Sequence, residues 1–258
     1  GGNLKMSGHS KWHNIKGKKT AADAARGRLF TKIGKEVTIA AREGGGNPDS
    51  NPKLRAAIEK ARSAGMPSDN IKRAIQRGTG ELNDGSTYEE LVYEGYGPSG
   101  VAVIVEVTTD NKNRTMSEIR KLFSKFGGSL GEQNCVSWMF TSVGKIVLKS
   151  DSLSEEEAFD LAMKVNASDV QKEDEKYTLT TTPENLFKTK DLIEKEGFEV
   201  ESSDIIKIPN TSIKLEGEDA QRMMRLMSEL EDHDDVQRVF ANFEISDEEI
   251  EKFLAAST

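Results

Sequence analysis

The chain is 258 residues long, more than one compact core usually holds, and 35% hydrophobic with 31% charged residues, polar yet regularly patterned. Its single cysteine, Cys135, excludes an internal disulfide and a cysteine-based zinc finger and fits a reducing, cytoplasmic setting. No apolar run approaches the roughly 18 residues that span a bilayer, so no membrane partner is expected. The net charge of -8 conceals an asymmetry: up to Gly80 there are 17 Lys and Arg against 6 Asp and Glu, and the remainder holds 19 basic and 38 acidic residues. A basic part carried on an acidic body is the pattern of a polyanion binder whose bulk repels nucleic acid.

In chain order, the segment Gly8 to His13 reads as a polar, aromatic arm, continued by lysines at 16, 18 and 19. A helix is predicted from Thr20, whose spacing to Asp23 matches a capping box, with Ala25, Leu29, Ile33, Val37 and Ala40 on one face and Gly44 to Gly46 ending it. Asn51-Pro52 places a capping side chain before a proline at the first helical position, starting a second helix that runs to Gly65. After the Met66-Pro67 turn, Ser68 is expected to cap a third helix ending at Gly78. These elements make a basic three-helix domain over residues 6–80.

Beyond a linker from Thr79 to Ser86 the apolar period changes to two. Strands are predicted over Leu91 to Tyr96 and Val101 to Val107, with Val101, Val103, Val105 and Val107 on one face. A helix through Met116, Ile119, Phe123 and Phe126 follows, then a strand in which Val136, Trp138 and Phe140 alternate inward. The rhythm recurs: strand Lys145 to Leu148, a helix capped by Ser154 with Glu157, strand Tyr177 to Thr181, a helix begun by Thr182-Pro183, and strand Val200 to Ile208. It ends with a short strand at Ile213, a helix lined by Met223, Met227 and Leu230, a strand from Val236 to Phe243, and a last helix capped by Ser246 with Glu249. The body is therefore α+β.

The candidate binding residues are the cations of the first domain: Lys11, Lys16, Lys18 and Lys19 in the arm, Arg26, Arg28, Lys32, Lys35 and Arg42 on the first helix, Lys53 and Arg55 on the second, Arg73 and Arg77 on the third. Ammonium and guanidinium groups bind phosphate oxygens and release counterions. Trp12 beside Lys11 could stack on an unpaired base, or pack on the bundle. Helix, glycine turn and capped helix across Ala64 to Ser68 could be a DNA-reading unit or an ordinary bundle corner. The acidic clusters, among them Glu231 to Asp235, read as solvated surface. No calcium loop, zinc spacing, phosphate loop, dinucleotide fingerprint or nucleophile pattern is present, so neither a metal, a cofactor nor catalysis is expected.

The run Gly8-His9-Ser10-Lys11-Trp12, then Phe30-Thr31-Lys32, Ala41 to Gly46, Asn51 to Arg55, Met66 to Ile71 and Tyr93 to Pro98 resemble the YebC family in order and spacing as well as in letters. The resemblance implies a helical N-terminal domain followed by two ferredoxin-like domains, the third (142–210) inserted into the second (86–141 with 211–258). It also implies a nucleic-acid-binding regulator of gene expression. Bacterial members are described as DNA-binding transcriptional regulators, and the similar mitochondrial protein as a translational activator of cytochrome oxidase. Relatives have been linked to ribosomes and to synthesis through proline runs, so the expected partner is DNA or ribosomal RNA, with the ribosome as the larger body. A rigid helix in a groove would favour duplex DNA; a flexible arm with a tryptophan among lysines favours RNA. A protein adaptor working through the acidic domains is the remaining alternative.

Overall fold

The computed structural model describes Trp12 and residues 22–82, 85, 87–149, 153–173 and 175–256. The helix start at Thr20 and the arm residues Lys11, Lys16, Lys18 and Lys19 lie outside the described residues.

Three helices come first: α1 (Ala22–Gly44), α2 (Pro52–Ser63) and α3 (Ser68–Thr79). Their core joins Ile33, Val37, Ala40 and Ala41 of α1 to Leu54, Ala57, Ile58 and Ala61 of α2 and to Ile71 and Ala74 of α3. Leu29, expected on this face, is 43% exposed one turn before the packing begins. Asn51 is buried and acts twice. Its side-chain oxygen accepts from the Leu54 N–H at 3.0 Å, capping α2, and its amide donates to the carbonyls of Ala40 and Gly45, tying the end of α1 to the start of α2. Ser68 does not cap α3; Pro67 occupies that position and Ser68 is the first helical residue. The close approach of α3 to α1 depends on Gly78, where a Cβ would lie 2.3 Å from the Thr38 carbonyl oxygen.

The rest of the chain runs β1 (Glu89–Tyr96), β2 (Ala102–Thr109), α4 (Lys112–Lys125), β3 (Ser129–Leu130), β4 (Phe140–Leu148), α5 (Glu155–Lys164), β5 (Asp169–Glu173), β6 (Lys176–Thr181), α6 (Leu186–Lys195) and β7 (Val200–Pro209). It closes with β8 (Ile213–Lys214), α7 (Gly217–Asp232), β9 (Val236–Ala241), β10 (Phe243–Glu244) and α8 (Asp247–Ala256). Two antiparallel four-stranded sheets result, ordered β3-β1-β2-β9 and β5-β6-β4-β7, with β8 and β10 pairing in parallel beside them.

The second of these sheets is made by β4-α5-β5-β6-α6-β7, the βαββαβ pattern of a ferredoxin-like unit. The first has the same layers, but its chain path is β-β-α-β, an excursion through the other sheet, and then α-β. Strand β2 is buried on both faces. Val101, Val103, Val105 and Val107 pack with Ile119 and Phe123 of α4 and Met223 and Met227 of α7, while Ala102 and Ile104 turn to a separate cluster with Val136, Phe140 and Phe240, against which Ile206 of β7 packs. Burial of both faces is why the run reads as continuously apolar.

The expected inward strand through Trp138 does not form. Ser137–Met139 is a 3-10 turn, Val136 and Phe140 are buried, and Trp138 is 70% exposed. The cause is Glu94: its buried carboxylate accepts the backbone N–H groups of Asn134, Val136 and Ser137 at 2.8–3.0 Å, so those donors are not free for a ladder. Strand β5 carries a single apolar residue, Val170, too few for an alternation to betray it. The long strand expected over Val236 to Phe243 is interrupted by Asn242, which exchanges hydrogen bonds with the backbone of Ala102.

Candidate nucleic-acid interface

The cations of the first domain divide into two sets, and the division follows the helices. Those on one side of α1 dock onto the second domain. Lys35 is 6% exposed, and its ammonium donates to the Thr108 carbonyl at 3.0 Å, the Asp234 carbonyl at 2.9 Å and Asp235 Oδ1 at 2.9 Å. All three protons are thereby used, so Lys35 cannot serve as the phosphate contact expected of it. Lys32 donates to the Glu231 carbonyl, Arg28 lies 3.9 Å from Asp232, and Arg42 donates to the Tyr88 carbonyl. Cations gathered around the end of α7 are where the negative pole of a helix favours them.

Asp235 is the hub of this contact. Burial opposes its ionisation, but hydrogen bonds from Lys35, Thr115 and Arg114 outweigh that cost and hold the carboxyl well below the ordinary aspartate range. The Glu231 to Asp235 cluster is thus not the solvated surface expected from sequence; its carbonyls and carboxylates are the receptor for α1. Glu118, His233 and Asp235 bring three possible metal-ligating atoms within 4.8 Å of one another. However, Lys35 and Arg114 already neutralise Asp235, and His233 Nδ1 accepts the Asp235 N–H at 3.1 Å while Nε2 meets Glu118 at 2.8 Å. An added cation would face two resident ones.

Helix α2 docks similarly on the third domain. Arg55 pairs with Asp191 at 3.6 Å, and Glu59 pairs with the nearly buried Lys190. Lys60 lies between Glu36 at 3.0 Å and Asp204 at 3.7 Å. Burial works against the Lys60 charge, but the two carboxylates prevail and raise its pKa above the usual lysine value.

The second set faces outward. Arg26, Arg62, Lys72 and Arg73 are exposed and have no acidic partner within ion-pair distance among the described residues. Arg62 closes α2, and Lys72 and Arg73 lie on the exposed side of α3, whose inner side carries Ile71 and Ala74. Arg77 is half-buried at the end of α3, and the exposed Lys53 pairs with Glu43 at 2.7 Å. Arg62 and Lys72 belong to the basic residues of this domain but were not singled out as contacts from sequence, and of α4, a helix expected from its apolar spacing, the cations were not singled out either. That helix holds Lys112, Arg114, Arg120, Lys121 and Lys125 against Glu118 alone, a local excess hidden in the acidic sum of the body. The groove of about 1040 Å³ between α1 and α4 is lined by Arg28, Arg114, Lys121 and Lys125, but also by Asp110, Glu118, Glu229 and Asp232. Its mixed charge makes it a junction and not a phosphate cradle.

Trp12 does not offer a stacking surface. The ring is 1% exposed in the core of the second domain, edge-on to Phe253 of α8 with centroids 5.2 Å apart. A large apolar ring gains more from that burial than from water, and Trp12 packs in the second domain instead of on the bundle.

Two family models match the chain: the TACO1/YebC protein N-terminal domain over residues 10–81, and the TACO1/YebC second and third domain over residues 88–243. The chain belongs to the TACO1/YebC family. The gap between the two matches falls between the end of α3 and the start of β1. A relative from Geobacter sulfurreducens, named "Probable transcriptional regulatory protein GSU1074", is 53% identical over 249 residues, covering 96% of this chain and 100% of the relative. One from Dictyoglomus turgidum, named "Probable transcriptional regulatory protein", is 51% identical over 244 residues, covering 94% and 98%. Among solved structures, the crystal structure of the conserved hypothetical protein Aq1575 from Aquifex aeolicus is 47% identical, with a TM-score of 0.83 over 92% of this chain and 98% of that one. No helix among the described residues is long and apolar enough to cross a membrane.

Proposed function

We propose that the protein is a nucleic-acid-binding regulator of gene expression that grips phosphates with the outward side of its first domain. The observation that carries this reading is the set of exposed cations without acidic partners among the described residues, Arg62 at the end of α2 and Lys72 and Arg73 on α3, with Arg26 on α1. Unpaired surface cations are the groups that release counterions from a polyphosphate, and a basic face that has already surrendered its other side to docking retains them for a partner. The naming of close relatives as transcriptional regulatory proteins agrees with it. Phosphate contacts of this kind give affinity with little sequence readout.

Two nucleic acids fit. Duplex DNA is favoured by the position of α3, which follows a short turn, exposes Ser68, Asp69 and Asn70 at its N-terminus and leaves its cationic side open, as a groove-reading helix must. Ribosomal RNA, and with it a role in translation, is favoured by the exposed Trp138, a ring on which an unpaired base can stack. Crosslinking in living cells followed by sequencing of the bound nucleic acid separates them: promoter DNA supports transcription, ribosomal RNA supports translation. Recovery of neither above the level of an Arg62→Glu, Lys72→Glu, Arg73→Glu variant would reject the reading.

A further inference from the structure

The aromatic ring expected to meet a base is buried, but another stands where none was expected. Trp138 is 70% exposed at the tip of a loop whose geometry is fixed from below. The Glu94 carboxylate, itself 4% exposed, accepts the N–H groups of Asn134, Val136 and Ser137, and the Gly131 N–H donates to the Glu94 carbonyl at 2.8 Å. The far side of the loop is tied to β7 by the Asn210 N–H, which donates to the Met139 carbonyl at 2.8 Å. A carboxylate satisfied by three backbone donors in a buried site is a strong, oriented support.

The second observation concerns the ring's one polar atom. Trp138 Nε1 donates to the Cys135 carbonyl at 3.0 Å, within its own loop. The indole therefore has no hydrogen bond left to give, and what it presents to solvent is a π-face held in a set orientation. Around it the loop offers polar groups, the neutral Gln133, Asn134 and Ser137 with one carboxylate at Glu132, rather than a run of apolar side chains. An apolar peptide partner would call for an apolar surround; a flat, polar-edged ring stacked on an aromatic calls for what is present.

We infer that Trp138 is a stacking platform for an unpaired nucleobase of a single strand. The inference rests on the nucleic-acid-binding reading above and specifies a second point of contact for it. The pairing of β4 with β7 sets Phe140 opposite Pro209, five residues along β7 from Asp204, the partner of Lys60 on α2. At about 3.3 Å per residue the loop stands roughly 17 Å along β7 from the docking contact of the first domain. Every base has a π-face, so this contact tolerates sequence, and it distinguishes single-stranded or looped substrate from continuous duplex.

The experiment uses the intact chain, with a single-stranded polyuridine or polyadenine oligonucleotide and, in parallel, a duplex of the same length. Indole emission reports on Trp138 directly, because the other indole, Trp12, is buried; a Trp138→Phe variant identifies the exposed component. Quenching by the single strand, lost in Trp138→Phe, is expected, with little quenching by the duplex. Trp138→Ala should weaken single-strand binding by roughly tenfold and leave duplex binding and the melting temperature unchanged. If the single strand binds, as read by anisotropy of a label on the oligonucleotide, but Trp138 emission and the affinity of Trp138→Ala do not change, the stacking inference is overturned while the phosphate grip stands. Quenching by an apolar or proline-rich peptide but not by the oligonucleotide would overturn it as well.

Discussion

The two sides of the first domain carry similar side chains and have opposite fates. On the side facing the body, Lys35 loses its water and gains three protein oxygens, and Arg55 and Lys60 face carboxylates of the third domain. On the far side Arg62, Lys72 and Arg73 keep their water, and no carboxylate among the described residues answers them. A charge count treats the two sides alike. What separates them is whether an acid from the remote body reaches them, and so the basic domain on an acidic chain is in part a self-complementary pair of surfaces.

The strongest way to break the comparison is to remove the hub of the docked side. Asp235→Ala strands Lys35 in a buried site and deprives Arg114 and Thr115 of their acceptor. A loss of about 3–5 kcal/mol in urea unfolding is expected, since breaking a buried pair leaves an uncompensated charge. The depressed pKa of Asp235 gives the effect a pH signature. Its contribution is complete above about pH 4, where an unfolded aspartate is ionised, and fades only as the pH falls from there toward the lower folded value. Wild type and Asp235→Ala should therefore converge in strong acid and be furthest apart near neutrality. A constant difference down to the lowest pH would show that the carboxylate is not the source.

A milder substitution sharpens the same contrast. Arg28 and Arg55 dock through longer, partly exposed pairs, at 3.9 and 3.6 Å. Replacing either with alanine should cost less than about 1 kcal/mol and become harder to detect in high salt. A larger loss would mean that the interface depends on these rim contacts and not on the buried Lys35–Asp235 centre.

Local devices were legible in the sequence and remote ones were not. The Asn51-Pro52 start of α2 and the Ser154–Glu157 capping box of α5 are signals completed within one turn, and both stand as read. The alternation of Val101 to Val107 likewise marks the face that meets α4 and α7. By contrast, Lys35 and Asp235 are 200 residues apart, and nothing in either neighbourhood shows that one will neutralise the other. Trp138 was misread for a related reason. Val136, Trp138 and Phe140 alternate like a strand, and only the approach of Glu94 from β1, which takes the backbone donors, turns the segment into a bend and the ring outward. For the candidate binding residues, the sequence shows where cations gather, but not which of them a remote carboxylate or carbonyl takes up.

The division between the two sides is tested most directly by the salt dependence of nucleic-acid binding by the intact chain. Arg62→Ala, Lys72→Ala, Arg73→Ala should flatten the slope of log affinity against log salt by about 2–3, as three lost phosphate contacts require. Arg28→Ala, Arg55→Ala, which removes two docked cations, should leave the slope of wild type. Equal flattening by both variants, or none by the first, would contradict the assignment of the outward side as the phosphate grip.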